Sequence, residues 1–107
     1  MTVVALIELG GCAKRRASDV NPVAAGRQTY IANCASCHNP DPALEGPLGP
    51  PVIGASRELL EARILRQAYP PGYEPKRPTH LMRAMPWLAP RIGDLAAFLA
   101  AAQKKQK

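Results

Sequence analysis

The chain has 107 residues and a formal net charge of +6 at pH 7. This length supports one domain with a thin core, because so short a domain buries only about 60–65% of the surface that its unfolded chain exposes. Residues 20–102 contain eight basic and six acidic side chains, and the basic residues form no patch that is interleaved with aromatic residues. This pattern argues against a nucleic-acid partner. With one Phe, one Trp and three Tyr, such a domain needs a disulfide, a metal or a large cofactor to stabilise it.

The N-terminal residues 1–19 are predicted to be a targeting segment and tether, and residues 20–107 the folded domain. Residues 2–11 are largely apolar, as in a signal peptide. Residues 9–12, Leu-Gly-Gly-Cys, resemble the bacterial lipobox, in which an aliphatic residue and small residues precede a cysteine that becomes lipidated. The resemblance implies that Cys12 anchors the protein at a membrane surface. The alternative is an unprocessed N-terminal segment.

The first helix is predicted to begin after Asn21, because asparagine suits the N-cap and Pro22 suits the first helical position. A glycine inside a helix costs about 1 kcal/mol relative to alanine. Gly26 therefore indicates a close crossing with another helix. The apolar positions of this helix are Val23, Tyr30 and Ile31.

A second helix is predicted from Ser56, which is its N-cap candidate. Apolar residues recur every four positions along it, as one buried helical face requires. These are Leu60, Ile64 and Ala68.

Two loops and a last helix complete the predicted chain order. Residues 39–55 and 69–84 are rich in proline and are predicted to be loops. The last helix is predicted over residues 90–103 and is followed by lysines that complement its dipole. No alternating strand pattern occurs, so the predicted fold class is all-α, with three to four helices and long Pro/Gly-rich loops.

Residues 34–38, Cys-Ala-Ser-Cys-His, carry the strongest chemical signal. Two thiols three residues apart fall on one helical turn, so both can reach one edge of a flat macrocycle and form thioethers with its vinyl groups. His38, directly after the second thiol, then lies under the iron. The pattern Cys-x-x-Cys-His is typical of c-type haem attachment through Cys34 and Cys37.

Other sites built on the same cysteines fit the sequence less well. A thioredoxin-like thiol pair would follow a strand in a βαβ unit, and no such pattern precedes Cys34. A zinc site needs four ligands at suitable spacing, which Cys12 and His80 do not supply. A buried structural pair of cysteines would not explain the adjacent histidine.

Taken in order, the motifs over residues 22–103 resemble the class I cytochromes c. In that family a glycine and an aromatic residue precede Cys-x-x-Cys-His, a Gly-Pro-x-aliphatic element follows it, and Met-Pro stands before a C-terminal helix that bears an aromatic residue. The matching positions here are Gly26 and Tyr30, residues 49–52 with Gly54, Met85 with Pro86, and residues 94–99 with Phe98.

The resemblance implies a class I cytochrome c fold around one covalent haem c. His38 and Met85 would then ligate the iron, with Met82 and His80 as alternatives to Met85. The Pro50 carbonyl would accept the free ring N–H of His38. With both axial positions filled by the protein, the expected function is single-electron transfer in a respiratory or dehydrogenase-linked chain, not catalysis. The alternative is a haem-c sensor or peroxidase-type domain in which Met85 is displaced.

Further expectations concern the surroundings of the haem and its redox partners. The partners would be a membrane-associated donor and acceptor protein. The protein itself would be located at the periplasmic side of a bacterial membrane, either anchored by lipid or soluble, as a free shuttle or as a subunit of a larger oxidoreductase. Candidate hydrogen-bond donors to the haem propionates are Trp87, Tyr69, Tyr73, Arg77 and Arg83. The apolar side chains expected to pack against the haem are Leu48, Val52, Ile53, Leu59, Ile64, Leu81 and Leu99.

Overall fold

The computed structural model describes residues 21–105, and this part of the chain is helical and contains no strand. The predicted all-α class is therefore confirmed at this level. None of the helices in the described range is long and apolar enough to cross a membrane. The elements are α1 (Pro22–Asn33), α2 (Ala35–His38), α3 (Arg57–Leu60), a π-helical segment (Glu61–Leu65), a 3-10 segment (Pro86–Arg91) and α4 (Ile92–Lys105).

Helix α1 begins as the sequence predicts. The side-chain oxygen of Asn21 accepts from the backbone N–H of Val23 at 2.9 Å and of Ala24 at 3.2 Å, which satisfies two donors that a helix start leaves free. Of the three large apolar residues of α1, Tyr30 is buried, whereas Val23 and Ile31 are exposed. The buried residues of this helix are Ala25, Gly26 and Tyr30, so only a narrow side of it is covered.

The crossing of α1 and α4 accounts for the glycine in α1. A Cβ at Gly26 would collide with the backbone of Asp94 and would stand 2.8 Å from Phe98 Cβ. One turn further along, the rings of Tyr30 and Phe98 pack with centroids 5.5 Å apart. The predicted close approach of two helices at Gly26 is confirmed.

The second predicted helix begins at its expected cap but ends early. Ser56 Oγ accepts from Leu59 N at 3.1 Å. After α3 the helix widens into the π-helical segment, which ends at Leu65. The prediction that the helix continues to Ala68 is therefore wrong. Gln67 takes a positive φ of 54°, and the N–H of Ala68 turns back to the carbonyl of Ala62 at 2.8 Å.

Helix α4 begins two residues after the predicted position, and a 3-10 segment precedes it. Pro90 lies within that segment, and a proline cannot donate a backbone hydrogen bond. The α-helix itself begins at Ile92. The buried core is small and consists of Tyr30, Ala35, Leu60, Ile64, Leu88, Ile92, Leu95 and Leu99.

Candidate functional site

Cys34 lies at the junction of α1 and α2, where it is the C-cap of α1 and the N-cap of α2. Its N–H donates to the Tyr30 carbonyl at 2.8 Å, and its own carbonyl accepts from Cys37 N at 3.2 Å and from His38 N at 2.9 Å. These bonds wind residues 34–38 into one turn, as the motif requires. The chain then leaves the helix at Asn39, whose φ of 88° is a conformation that asparagine tolerates better than most residues.

Both cysteines of the motif are free thiols, Cys34 half-buried and Cys37 exposed. Burial, with a smaller contribution from the charge of Cys37, raises the pKa of the Cys34 thiol to about 11. Dithiol oxidoreductases instead lower the pKa of their attacking cysteine so that it is a thiolate near neutral pH. The environment of Cys34 is therefore unlike that of a thioredoxin-type nucleophile.

The imidazole of His38 is held by a backbone carbonyl and by a glycine. Its Nδ1 lies 2.9 Å from the Pro50 carbonyl oxygen, and because a carbonyl only accepts, Nδ1 carries the proton and leaves the Nε2 lone pair free for a metal. A Cβ at Gly49 would stand 2.5 Å from ring atoms of His38. The ring thus packs directly on the Gly49 backbone.

The loop that supplies Pro50 is fastened to the helix that carries His38. The N–H groups of Leu48 and Gly49 donate to the Cys37 carbonyl at 3.2 and 2.9 Å. The Gly46 N–H donates to the Gly49 carbonyl at 2.9 Å. The cysteine motif and the Pro50 carbonyl are therefore parts of one hydrogen-bonded unit.

Met85 is positioned by the π-helical segment. Its N–H donates to the Ile64 carbonyl at 2.6 Å, and its carbonyl accepts from Leu88 N at 2.9 Å. The first bond ties Met85 to the middle of the molecule, and the second starts the 3-10 segment. π-Helical turns occur frequently at functional sites, and this one offers a carbonyl to a residue 21 positions later.

One cavity of about 680 Å³ collects the predicted site residues, a volume within the range of small-molecule and cofactor sites. Its walls include Cys34, Cys37, His38, Pro50 and Met85. Met82 also lines the cavity, whereas His80 is not among the lining residues. The cavity walls further contain the whole apolar set expected around a haem and every propionate candidate, namely Leu48, Val52, Ile53, Leu59, Ile64, Leu81, Leu99, Trp87, Tyr69, Tyr73, Arg77 and Arg83.

Several cavity-lining apolar side chains are strongly exposed without a group to cover them. Leu48, Leu81 and Trp87 expose 52%, 60% and 67% of their surface. Exposed apolar side chains that cluster around one concave surface usually indicate a binding site. An apolar ligand in this cavity would cover them.

The cavity has a basic character that the sequence analysis identified only in part. Among its lining residues are four cations and no Asp or Glu. Arg77 and Arg83 were predicted, but Arg63 and Lys76 were missed. Arg63 follows Leu60 by three residues, so its position on the inner face of the helix could have been predicted from helical periodicity. Its guanidinium lies 4.2 Å above the Tyr69 ring, which stacks on Tyr73 with centroids 5.4 Å apart.

The site fits a haem in four respects. The cavity offers two thiols and a metal-ready imidazole, a thioether side chain, and an apolar interior with cations but no acids in its walls. A haem has two vinyl groups, an iron, an apolar macrocycle and two carboxylates, and each matches one of these features. Within residues 21–105 no group of three or more His, Cys, Asp or Glu side chains could hold a metal ion by itself. Cys12 and the proposed lipobox lie outside the described residues.

The chain matches no protein family, no curated protein and no solved structure.

Proposed function

We propose that this protein is a single-electron carrier that holds one haem c covalently. In this proposal Cys34 and Cys37 form the thioethers, His38 and Met85 are the axial ligands, and the fold is that of the class I cytochromes c. The observation that carries the proposal is the meeting of these four residues and the Pro50 carbonyl at one apolar cavity. The chain brings them there from widely separated positions.

The individual residues have distinct tasks. Pro50 fixes the tautomer and plane of the His38 ring through the 2.9 Å contact to Nδ1. The same contact makes the Nε2 lone pair a stronger ligand for a metal. A methionine thioether is a soft ligand that favours ferrous iron and raises the potential. Leu48, Leu81 and the rest of the apolar wall exclude water from the macrocycle.

When bound, the haem supplies reversible one-electron chemistry between ferric and ferrous iron. Two protein ligands leave no axial position for a substrate, which favours electron transfer over catalysis. The redox partners would be a donor and an acceptor protein. Export to the periplasmic side of a bacterial membrane, with an anchor at Cys12, belongs to the same proposal because haem is attached to this motif outside the cytoplasm in this family.

The test is a potentiometric titration of the chain produced in the periplasm of a bacterium that has the haem c maturation system. We expect one reversible one-electron transition and, in the ferric state, the absorption band of methionine sulfur bound to iron. A haem-bearing protein that lacks this band and binds carbon monoxide readily would instead support a sensor or peroxidase-type domain.

A further inference from the structure

Two consecutive basic residues join the loop that leads to Met85 with the loop that holds His38. Lys76 Nζ donates to the Pro51 carbonyl at 2.9 Å. Arg77 forms an ion pair with Glu45, and its guanidinium also lies 3.4 Å from the Gly46 carbonyl. All three acceptors lie in the loop between α2 and α3. The basic residues belong to the long segment between the π-helical and 3-10 segments.

The acceptors of these bonds are neighbours of the groups that hold His38. Pro51 directly follows Pro50, whose carbonyl is the partner of the His38 ring. Gly46 is bonded to Gly49, on which the same ring packs. Pro51 is therefore linked to the partner of the imidazole by one peptide bond, and Gly46 is linked to the residue under the ring by a hydrogen bond.

The segment that contains Lys76 has its own attachments at its two ends. At the start, the Arg63 guanidinium covers the Tyr69 ring. At the end, Gln67 Nε2 donates to the Met82 carbonyl at 3.0 Å, and Met85 N donates to Ile64. Between these ends, Lys76 and Arg77 supply the side-chain hydrogen bonds from this segment to the loop on the His38 side.

We propose that Lys76 and Arg77 form a strap that couples the two ligand loops, so that retention of Met85 on the iron depends on contacts made on the His38 side of the cavity. Both are positioning residues, since neither touches the iron. The inference rests on the proposed function and adds to it a determinant of how firmly the sixth ligand is held. Without the strap, the side-chain hydrogen bonds that remain on this loop among residues 21–105 lie near its ends, so the loop opens more readily.

The expected effect is modest because the ion pair is partly exposed. The side chains of Arg77 and Glu45 are 28% and 67% exposed, and exposed pairs contribute up to about 1 kcal/mol. Loss of the pair should therefore raise the population of the Met85-released state about fivefold. High salt should weaken the strap in the parent protein, since screening shortens the range of the interaction from about 10 Å at about 0.1 M to about 3 Å at about 1 M.

The test is a titration of the ferric haem protein with imidazole, which replaces the methionine. The replacement is monitored by the loss of the methionine–iron absorption band. Glu45→Gln is the decisive variant, because Glu45 does not line the cavity and its replacement leaves every cavity cation in place. Lys76→Met removes the other half of the strap, because methionine keeps an unbranched side chain but has no hydrogen-bond donor. The matched control is Arg57→Gln, which removes an exposed pair of 3.2 Å between Arg57 of α3 and Glu61 of the π-helical segment, both outside the cavity lining.

We expect about fivefold tighter apparent imidazole binding in Glu45→Gln and in Lys76→Met, and no change in Arg57→Gln. Hydrogen exchange of residues 69–84 in the same haem proteins should accelerate in the strap variants alone. A haem-bearing parent with the methionine band, whose imidazole affinity is unchanged by the strap variants, overturns the strap but not the proposed function. A parent without covalent haem overturns both.

Discussion

Replacement of Gly26 by alanine should destabilise the protein, although alanine is the better helix former. The new Cβ would stand 2.8 Å from Phe98 Cβ and collide with the backbone of Asp94, both on α4. Alanine gains about 1 kcal/mol in helix propensity, whereas overpacking costs about 1–3 kcal/mol and sometimes more. Because a backbone carbonyl and a Cβ cannot move by a rotamer change, the helices must separate and the cost lies at the upper end. The expected net loss is about 2 kcal/mol.

Gly93→Ala is the matched control, since it makes the same change in the other helix of the pair. The nearest atom to a Cβ there is Arg57 Nη1 at 3.2 Å, the end of a flexible side chain. We therefore expect Gly93→Ala to be neutral or stabilising by up to about 1 kcal/mol. Thermal unfolding of the haem-loaded proteins measures both, at roughly 4–8 °C per kcal/mol for a domain of this size. A Gly26→Ala protein that melts with or above the parent would refute the described crossing.

Three further predictions concern the site and its supports. Met85→Ala should open the iron to carbon monoxide and lower the potential, while Met82→Ala keeps the methionine–iron band; the reverse pattern in the two spectra would identify Met82 as the ligand. Gly49→Ala should lower the free energy of unfolding by about 1–3 kcal/mol, measured by denaturant titration, because its Cβ would press on the His38 ring; parent-like stability would contradict that packing. Burial, with smaller effects of the Cys34 and Asp41 charges, raises the pKa of Tyr30 from 10.0 to about 12. The folded state therefore holds the phenol proton more tightly than the unfolded state does. The stability that results is complete below pH 10 and is lost as the pH rises towards 12. The unfolding free energy should fall more steeply over that window in the parent than in Tyr30→Phe, and identical slopes would exclude this contribution.

Local sequence signals predicted the starts of α1 and α3 and a close helix crossing at Gly26. Asn21 and Ser56 act through bonds to residues two or three positions away, so their effect is visible in the sequence. Gly26 was informative because its cost in a helix has to be offset by packing. The same local logic failed at Ala68, since the π-helical widening after Leu60 and the turn at Gln67 respond to contacts with distant segments.

The cavity lining was predictable where a motif or an apolar pattern marked it and not where a long polar side chain reaches in. Arginine and lysine usually face water, so the sequence gives no reason to place Lys76 at the cavity, and for Arg63 it gives only the three-residue spacing from Leu60. Their positions follow from the aromatic ring under Arg63 and from the Pro51 carbonyl beside Lys76. Neither contact has a sequence signature of its own.

Exposure of Val23 and Ile31 shows a second limit of periodicity. Both residues belong to the apolar positions of α1, yet the residues that this helix buries are Ala25, Gly26 and Tyr30. Small residues allow a close but narrow contact between two helices. The flanking apolar positions are therefore left in solvent, and only the partner helix decides which of them are covered.

The most direct test of covalent haem binding is the mass of the purified chain after denaturation, for the parent and for the variants Cys34→Ala, Cys37→Ala and the double replacement. Production in the periplasm with the haem c maturation system supplies the cofactor. The account predicts that one haem stays on the parent chain, that at most a single thioether forms in each single variant with a poorly folded, protease-sensitive product, and that no haem stays on the double variant. A parent chain without haem, or a double variant that retains it after denaturation, would contradict the assignment of Cys34 and Cys37.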